Sequence, residues 1–100
     1  MNTKGWLIYS RSYYLLSGKR YIFFNRKKRS DASINVDFVN NGGSSSFQLY
    51  EDEILIKEIS EPKTDFYSFE IKSGHQYKLV ITSKKAKGKI KVRILKHVQK

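Results

Sequence analysis

A chain of 100 residues fits one domain with one modest core. The absence of cysteine excludes a disulfide framework, a sulfur-built zinc site and thiolate chemistry. A formal net charge of +11 points to polyanions as partners.

Helix periodicity is almost absent, and β-branched and aromatic residues dominate. Trp6 to Tyr9 predicts a short first strand, and Arg11 to Leu16 a second. Ser17-Gly18 reads as a tight turn, because glycine reaches positive φ without steric cost. Lys19 to Phe24 is then expected to pair back as a hairpin. Arg26-Lys27-Lys28-Arg29 follows as a solvated loop of like charges. Ser33 to Val39 alternates cleanly, with Ile34, Val36 and Phe38 inward. Asn40-Asn41-Gly42-Gly43 and three serines form the strongest breaker.

Phe47 to Tyr50 and Ile54 to Ile59 read as a hairpin around Glu51-Asp52-Glu53, ended by Glu61-Pro62. Asp65 to Ile71, a turn at Ser73-Gly74, and Tyr77 to Thr82 follow. Ser83 to Gly88 reads as a second basic loop, and Lys89 to Leu95 as the closing strand with Ile90, Val92 and Ile94 inward.

Residues 13–38 align without a gap on residues 69–94. Ser17-Gly18 falls on Ser73-Gly74, Tyr21 on Tyr77, Ile34 on Ile90 and Val36 on Val92. Two copies are too few for a solenoid. The expectation is one all-β domain spanning residues 1–100. It would be an antiparallel β-sandwich, jelly-roll-like or Ig-like, of about eight short strands with an internal pseudo-two-fold repeat.

Charge is uneven along the chain. Residues 51–70 hold 7 acidic and 2 basic side chains, whereas residues 71–100 hold 10 basic and none acidic. Lys87, Lys89, Lys91 and Arg93 alternate with the apolar set of the last strand. Period two would place them on one face about 6.6 to 6.8 Å apart, near the phosphate spacing of an extended single strand. Lys84 and Lys85 extend this stripe, and Arg26, Lys27, Lys28 and Arg29 form a second cluster. The competing reading is an edge strand guarded by lysine against aggregation. Tyr9, Tyr14 and Tyr50 fall on the less apolar parity of their strands and are candidate recognition rings, with Arg11, Lys19 and Arg20 near the first two in sequence.

Catalytic signals are missing. His75 and His97 have no neighbour at ligand spacing, and there is neither a phosphate-cradling glycine loop nor a nucleophile elbow. Glu51-Asp52-Glu53 lacks the spacing and the glycine of a calcium loop and reads as a solvated hairpin tip. No enzyme activity, cofactor or metal is expected.

The segments Phe47-Gln48-Leu49-Tyr50, Phe69 to Ile81 with its Gly74-His75-Gln76-Tyr77 turn, and Gly88-Lys89-Ile90-Lys91-Val92 resemble bacterial exported β-sandwich modules of the pre-peptidase C-terminal type. The resemblance covers about half of the chain. It implies a non-catalytic sandwich of the kind appended to secreted enzymes, some of which bind matrix or carbohydrate. Gln48 stands where those modules carry an acidic residue, so calcium binding does not carry over.

The function expected is a small, strongly basic binding protein, secreted or acting at the cell surface, that engages an anionic polymer, glycan or membrane surface. A single-stranded nucleic-acid-binding module and a secreted antimicrobial or toxin-like protein are the alternatives. Arg11 and the serines interrupt the apolar start, so it fails as a signal peptide. A cytoplasmic location follows if Met1 is the native start. No apolar run approaches the length of a transmembrane helix.

Overall fold

The computed structural model describes residues 6–28 and 30–96. It is all-β, with no helix among the described residues. Five strands make one antiparallel sheet: β1 (Trp6–Asn25), β2 (Ala32–Glu51), β3 (Ile54–Ser60), β4 (Asp65–Ile71) and β5 (Gln76–Lys96). The order across it is β1-β5-β2-β3, and β4 pairs with β2 beside β3.

Five strands replace about eight because three of them are long. The segments expected over 6–9, 11–16 and 19–24 fuse into β1. Those over 33–39 and 47–50 fuse into β2, and those over 77–82 and 89–95 into β5. Ser17-Gly18 is therefore no hairpin turn, and Ser83 to Gly88 is no loop. Asn40 to Ser46 is a passage inside β2.

These interior stretches are irregular rather than terminal. Register shifts fall between Tyr13 and Gly18 in β1, and between Asn40 and Ser44 in β2 against β5. A straight strand of 20 residues would reach about 66 Å, yet the longest extent of the molecule is 43 Å. The long strands must bend, and the irregularities are where they do so.

Each bend also moves the buried parity by one. In β2 the inward residues are Ile34, Val36 and Phe38, then Phe47 and Leu49. In β5 they are Tyr77, Leu79 and Ile81, then Ile90, Val92 and Ile94. The inserted residues keep one side of the sheet apolar from end to end, where an uninterrupted period of two would have reversed it. Phe47 then meets both flanks of the bend. It stands edge-on to Phe38 at 5.1 Å and to Tyr67 of β4 at 5.7 Å, contacts worth about 0.5–1.5 kcal/mol each beyond burial.

The aligned segments pair with one another. Val36 lies opposite Val92, with Ile34 opposite Ile94 and Phe38 opposite Ile90. Ile22 lies opposite Leu79 and Phe23 opposite Lys78. Their connections differ, however. Ser73-Gly74 is a turn while Ser17-Gly18 lies within a strand, and the chain turns after Asn25 but runs on through Lys84.

Candidate functional site: a cationic flank

Charge is sorted by strand. β1 carries Arg11, Lys19 and Arg20, and β5 carries Lys78, Lys84, Lys85, Lys87, Lys89, Lys91, Arg93 and Lys96; neither contains a carboxylate. On the other flank, β2, β3 and β4 hold Asp37, Glu51, Glu58, Asp65 and Glu70 with Lys57 as their single cation. Because β1 and β5 are neighbours, the sequence's scattered cations become one flank of the sheet.

The stripe on β5 is partly as expected. Ile90, Val92 and Ile94 are buried, so Lys89, Lys91 and Arg93 share the opposite, outward face. Arg93 is half-buried and its guanidinium donates to Asp37 at 3.2 Å, which leaves Lys89 and Lys91 as the exposed pair. Lys87 departs from the stripe. It lies in the bend opposite Gly42, with its ammonium 4.9 Å from the ring centre of Tyr14. Lys84 and Lys85 are exposed in the same bend. The lysine-guarded edge is overturned, since β5 pairs with β1 on one side and β2 on the other.

The second cluster dissolves. Arg26 is buried, and its guanidinium donates to the Ser30 carbonyl at 2.7 and 3.1 Å. Its backbone N–H donates to the His75 carbonyl and its carbonyl accepts from Gly74 N–H, so it ties the β1–β2 turn to the β4–β5 turn. Lys27 and Lys28 are exposed, and Arg29 lies outside the described residues.

A cleft of about 170 Å³ opens where the two halves of β1 bend towards each other. Arg11, Lys19 and Arg20 line it with Tyr9 and Tyr13, over Ile81 and Ile90. The Arg20 guanidinium lies 5.0 Å from the Tyr9 ring centre, a cation–π contact that orients the side chain. Burial, then the neighbouring Tyr9, raises the Tyr13 hydroxyl above the ordinary phenol value, so it stays a neutral donor. Three cations, two phenol groups and no carboxylate give this recess a positively charged lining.

Of the candidate rings, Tyr9 packs half-buried against the core, Tyr14 is 73% exposed, and Tyr50 is half-buried beneath Lys78 at 4.7 Å. Sequence reasoning missed Tyr13, Tyr21 and Phe23. Tyr21 is half-exposed and Phe23 is 72% exposed, on the face opposite buried Ile22 and Phe24. Four consecutive apolar residues hide which pair faces out. The register places Phe23, Lys78, Tyr50 and Leu55 in one row across the sheet, with the Lys78 ammonium between the Tyr21 and Tyr50 rings.

His75 is also better connected than its sequence neighbours suggest. Its Nδ1 is 2.7 Å from the Asp52 carboxylate and 3.5 Å from that of Glu51. The bond to Asp52 raises the imidazole above its ordinary value. Asp52 also accepts Gln76 N–H at 3.0 Å, and that bond, followed by His75, lowers its carboxyl. Tyr77 donates to Glu51 at 3.0 Å. These bonds clasp the β2–β3 and β4–β5 turns. The acidic triplet is thus half structural: Glu51 and Asp52 are engaged, Glu53 is exposed, and no group of three metal-ligating side chains forms among the described residues. His97 lies outside them. No protein-family model matches this chain, and no curated protein sequence matches it.

Proposed function

We propose that this chain is a small non-catalytic binding protein, exported or acting at a cell surface, that engages an anionic polymer through the β1–β5 flank. The observation that carries the reading is the sorting of charge: two adjacent strands that hold eleven cations between them and contain no carboxylate. Lys89 and Lys91 on the outward face and Arg11, Lys19 and Arg20 in the cleft are the contacts, with Lys84, Lys85 and Lys87 joining them around the bend. The two halves of the bent sheet serve as the facing layers of a sandwich. The resemblance to pre-peptidase C-terminal modules supports the same non-catalytic role.

The test is titration of a sulfated polysaccharide across a range of salt. Counterion release makes the logarithm of affinity fall linearly with the logarithm of salt, by somewhat under one unit per cation engaged. Lys89→Ala with Lys91→Ala should flatten that slope by about two. Lys27→Ala with Lys28→Ala removes the same charge from the β1–β2 turn and should leave the slope nearly unchanged. Equal effects of the two pairs would mean that net charge alone binds, and a salt-independent affinity would sink the proposal.

A single-stranded nucleic acid is the second reading, favoured by rings already capped by cations: Tyr14 by Lys87, and Tyr21 and Tyr50 by Lys78. Stacked bases would quench tyrosine emission where a sulfated polysaccharide would not.

A further inference from the structure

Every exposed large hydrophobic residue among those described lies on a strand paired on only one side. Leu7, Ile8, Tyr14, Leu15, Tyr21 and Phe23 are on β1; Ile54, Leu55 and Ile56 are on β3; Phe66 is on β4. An open sheet edge rich in such residues is a template for another strand. The two ends of the row β1-β5-β2-β3 also differ in sign. The second half of β1 carries Lys19 and Arg20 and no carboxylate. β3 carries Lys57 and Glu58, with Glu53 before it and Glu61 after it, so carboxylates outnumber cations three to one over residues 53–61.

We propose that the free edge of β1 receives β3 of a second copy of this chain, so that copies add head to tail into one continuous antiparallel sheet. Direction allows it. Successive strands in β1-β5-β2-β3 are antiparallel, so β1 and β3 run in opposite senses, and simple translation of a copy sets them antiparallel.

Register allows it too. Phe23 is level with Leu55 through Lys78 and Tyr50, Tyr21 with Glu58 through Val80 and Gln48, and Lys19 with Ser60 through Thr82 and Ser46. Translation along these rows brings Phe23 beside the next copy's Leu55. It also brings Lys19, level with that copy's Ser60, beside its Glu58 and Glu61, while its Lys57 falls level with Ile22. Two β1 edges facing each other would instead oppose cation to cation. The contact is heterologous, so it does not close on itself.

The test is sedimentation without any polyanion, at about 0.15 M salt so that the repulsion of the net charge is screened beyond about 8 Å. A single strand pair belongs with small, weak interfaces, so protein is taken up to about 1 mM. The wild type should grow with concentration without stopping at a dimer. Phe23→Glu blocks the β1 edge and Leu55→Lys blocks the β3 edge, and each alone should stay monomeric. Their mixture should form dimers and nothing larger, because one open edge of each kind remains.

The chain has no cysteine, so Phe23→Cys and Leu55→Cys give a covalent readout that does not depend on charge changes. Under mild oxidation, a mixture should cross-link chiefly as the heterodimer. A wild type that is monomeric at about 1 mM, a closed dimer, dimerisation of Leu55→Lys alone, or cross-linking that favours either homodimer would each overturn the proposal. Tyr21→Glu and Ile56→Lys replace any variant that fails to fold.

Discussion

Gly88 should be one of the two least replaceable glycines among the described residues. It has φ +142° and lies in the bend of β5 opposite Asn40. A Cβ there would fall well inside contact distance of the Val39 carbonyl oxygen, which is backbone and cannot rotate away. Gly43 faces the same obstacle from the Lys85 carbonyl. Gly18, at φ +128°, is a built-in control, because a Cβ there would meet nothing within 4 Å. Gly18→Ala should therefore cost only the unfavourable backbone conformation, about 1–2 kcal/mol. Gly88→Ala adds overpacking of about 1–3 kcal/mol and the loss of a ladder hydrogen bond near the bend, about 1 kcal/mol. The total is about 3–6 kcal/mol, a large part of the 5–15 kcal/mol typical of a domain. Each kcal/mol moves the melting temperature of a domain this size by about 4–8 °C. Thermal and urea melts followed by circular dichroism should show Gly88→Ala at least 10 °C or so below Gly18→Ala. Comparable losses in the two variants would refute the close approach of β2 and β5 on which the bend depends.

Three further outcomes follow from packing and charge. Phe47→Ala removes the ring shared by Phe38 and Tyr67 and should cost about 3–5 kcal/mol in urea melts, whereas Phe66→Ala, at a residue 54% exposed, should cost under about 1 kcal/mol. His75→Gln should lower the melting temperature in a pH-dependent way. The raised imidazole contributes stability that is full below its ordinary 6.5 and is lost as pH rises through the higher folded value. The lowered Asp52 carboxyl contributes above its ordinary 3.8 and is lost as pH falls through the folded value. The gap between wild type and His75→Gln should be widest between about pH 4 and 6.5 and close on the alkaline side; a gap that widens there would contradict the clasp. Arg26→Ala should destabilise the fold without changing the salt slope of polymer binding, because its guanidinium is spent on the Ser30 carbonyl. A flatter slope in that variant would return Arg26 to the binding surface.

Inward residues were legible in the sequence; strand ends were not. Ile34 and Ile90 are fully buried, as the alternation of their segments predicts. Alternation is a local property and survives whatever the strand does next. A glycine at positive φ is ambiguous, because tight turns and bulges both need one. Gly74 serves a turn and Gly88 a bend, and their sequence neighbourhoods do not distinguish them. The decision is made by partners. Where β5 bends, β2 lies alongside and keeps the ladder going, so the chain passes through. After Ile71 the turn residues bond back to Asp31 and Arg26, so the chain reverses.

The proposed binding surface was half legible for the same reason. Net charge and the stripe of Lys89, Lys91 and Arg93 can be read along one strand. The neutral or acidic character of the other flank, and the joining of Arg11, Lys19 and Arg20 to the stripe, depend on β1 lying beside β5 across more than 60 residues of chain. That pairing also removes the guarding reading. Lysines that protect an edge must lie on an edge, and β5 is the one long strand paired along its whole length on both sides. Its cations consequently project from the middle of a sheet face, where they cannot block a strand and can meet a flexible polyanion along its length.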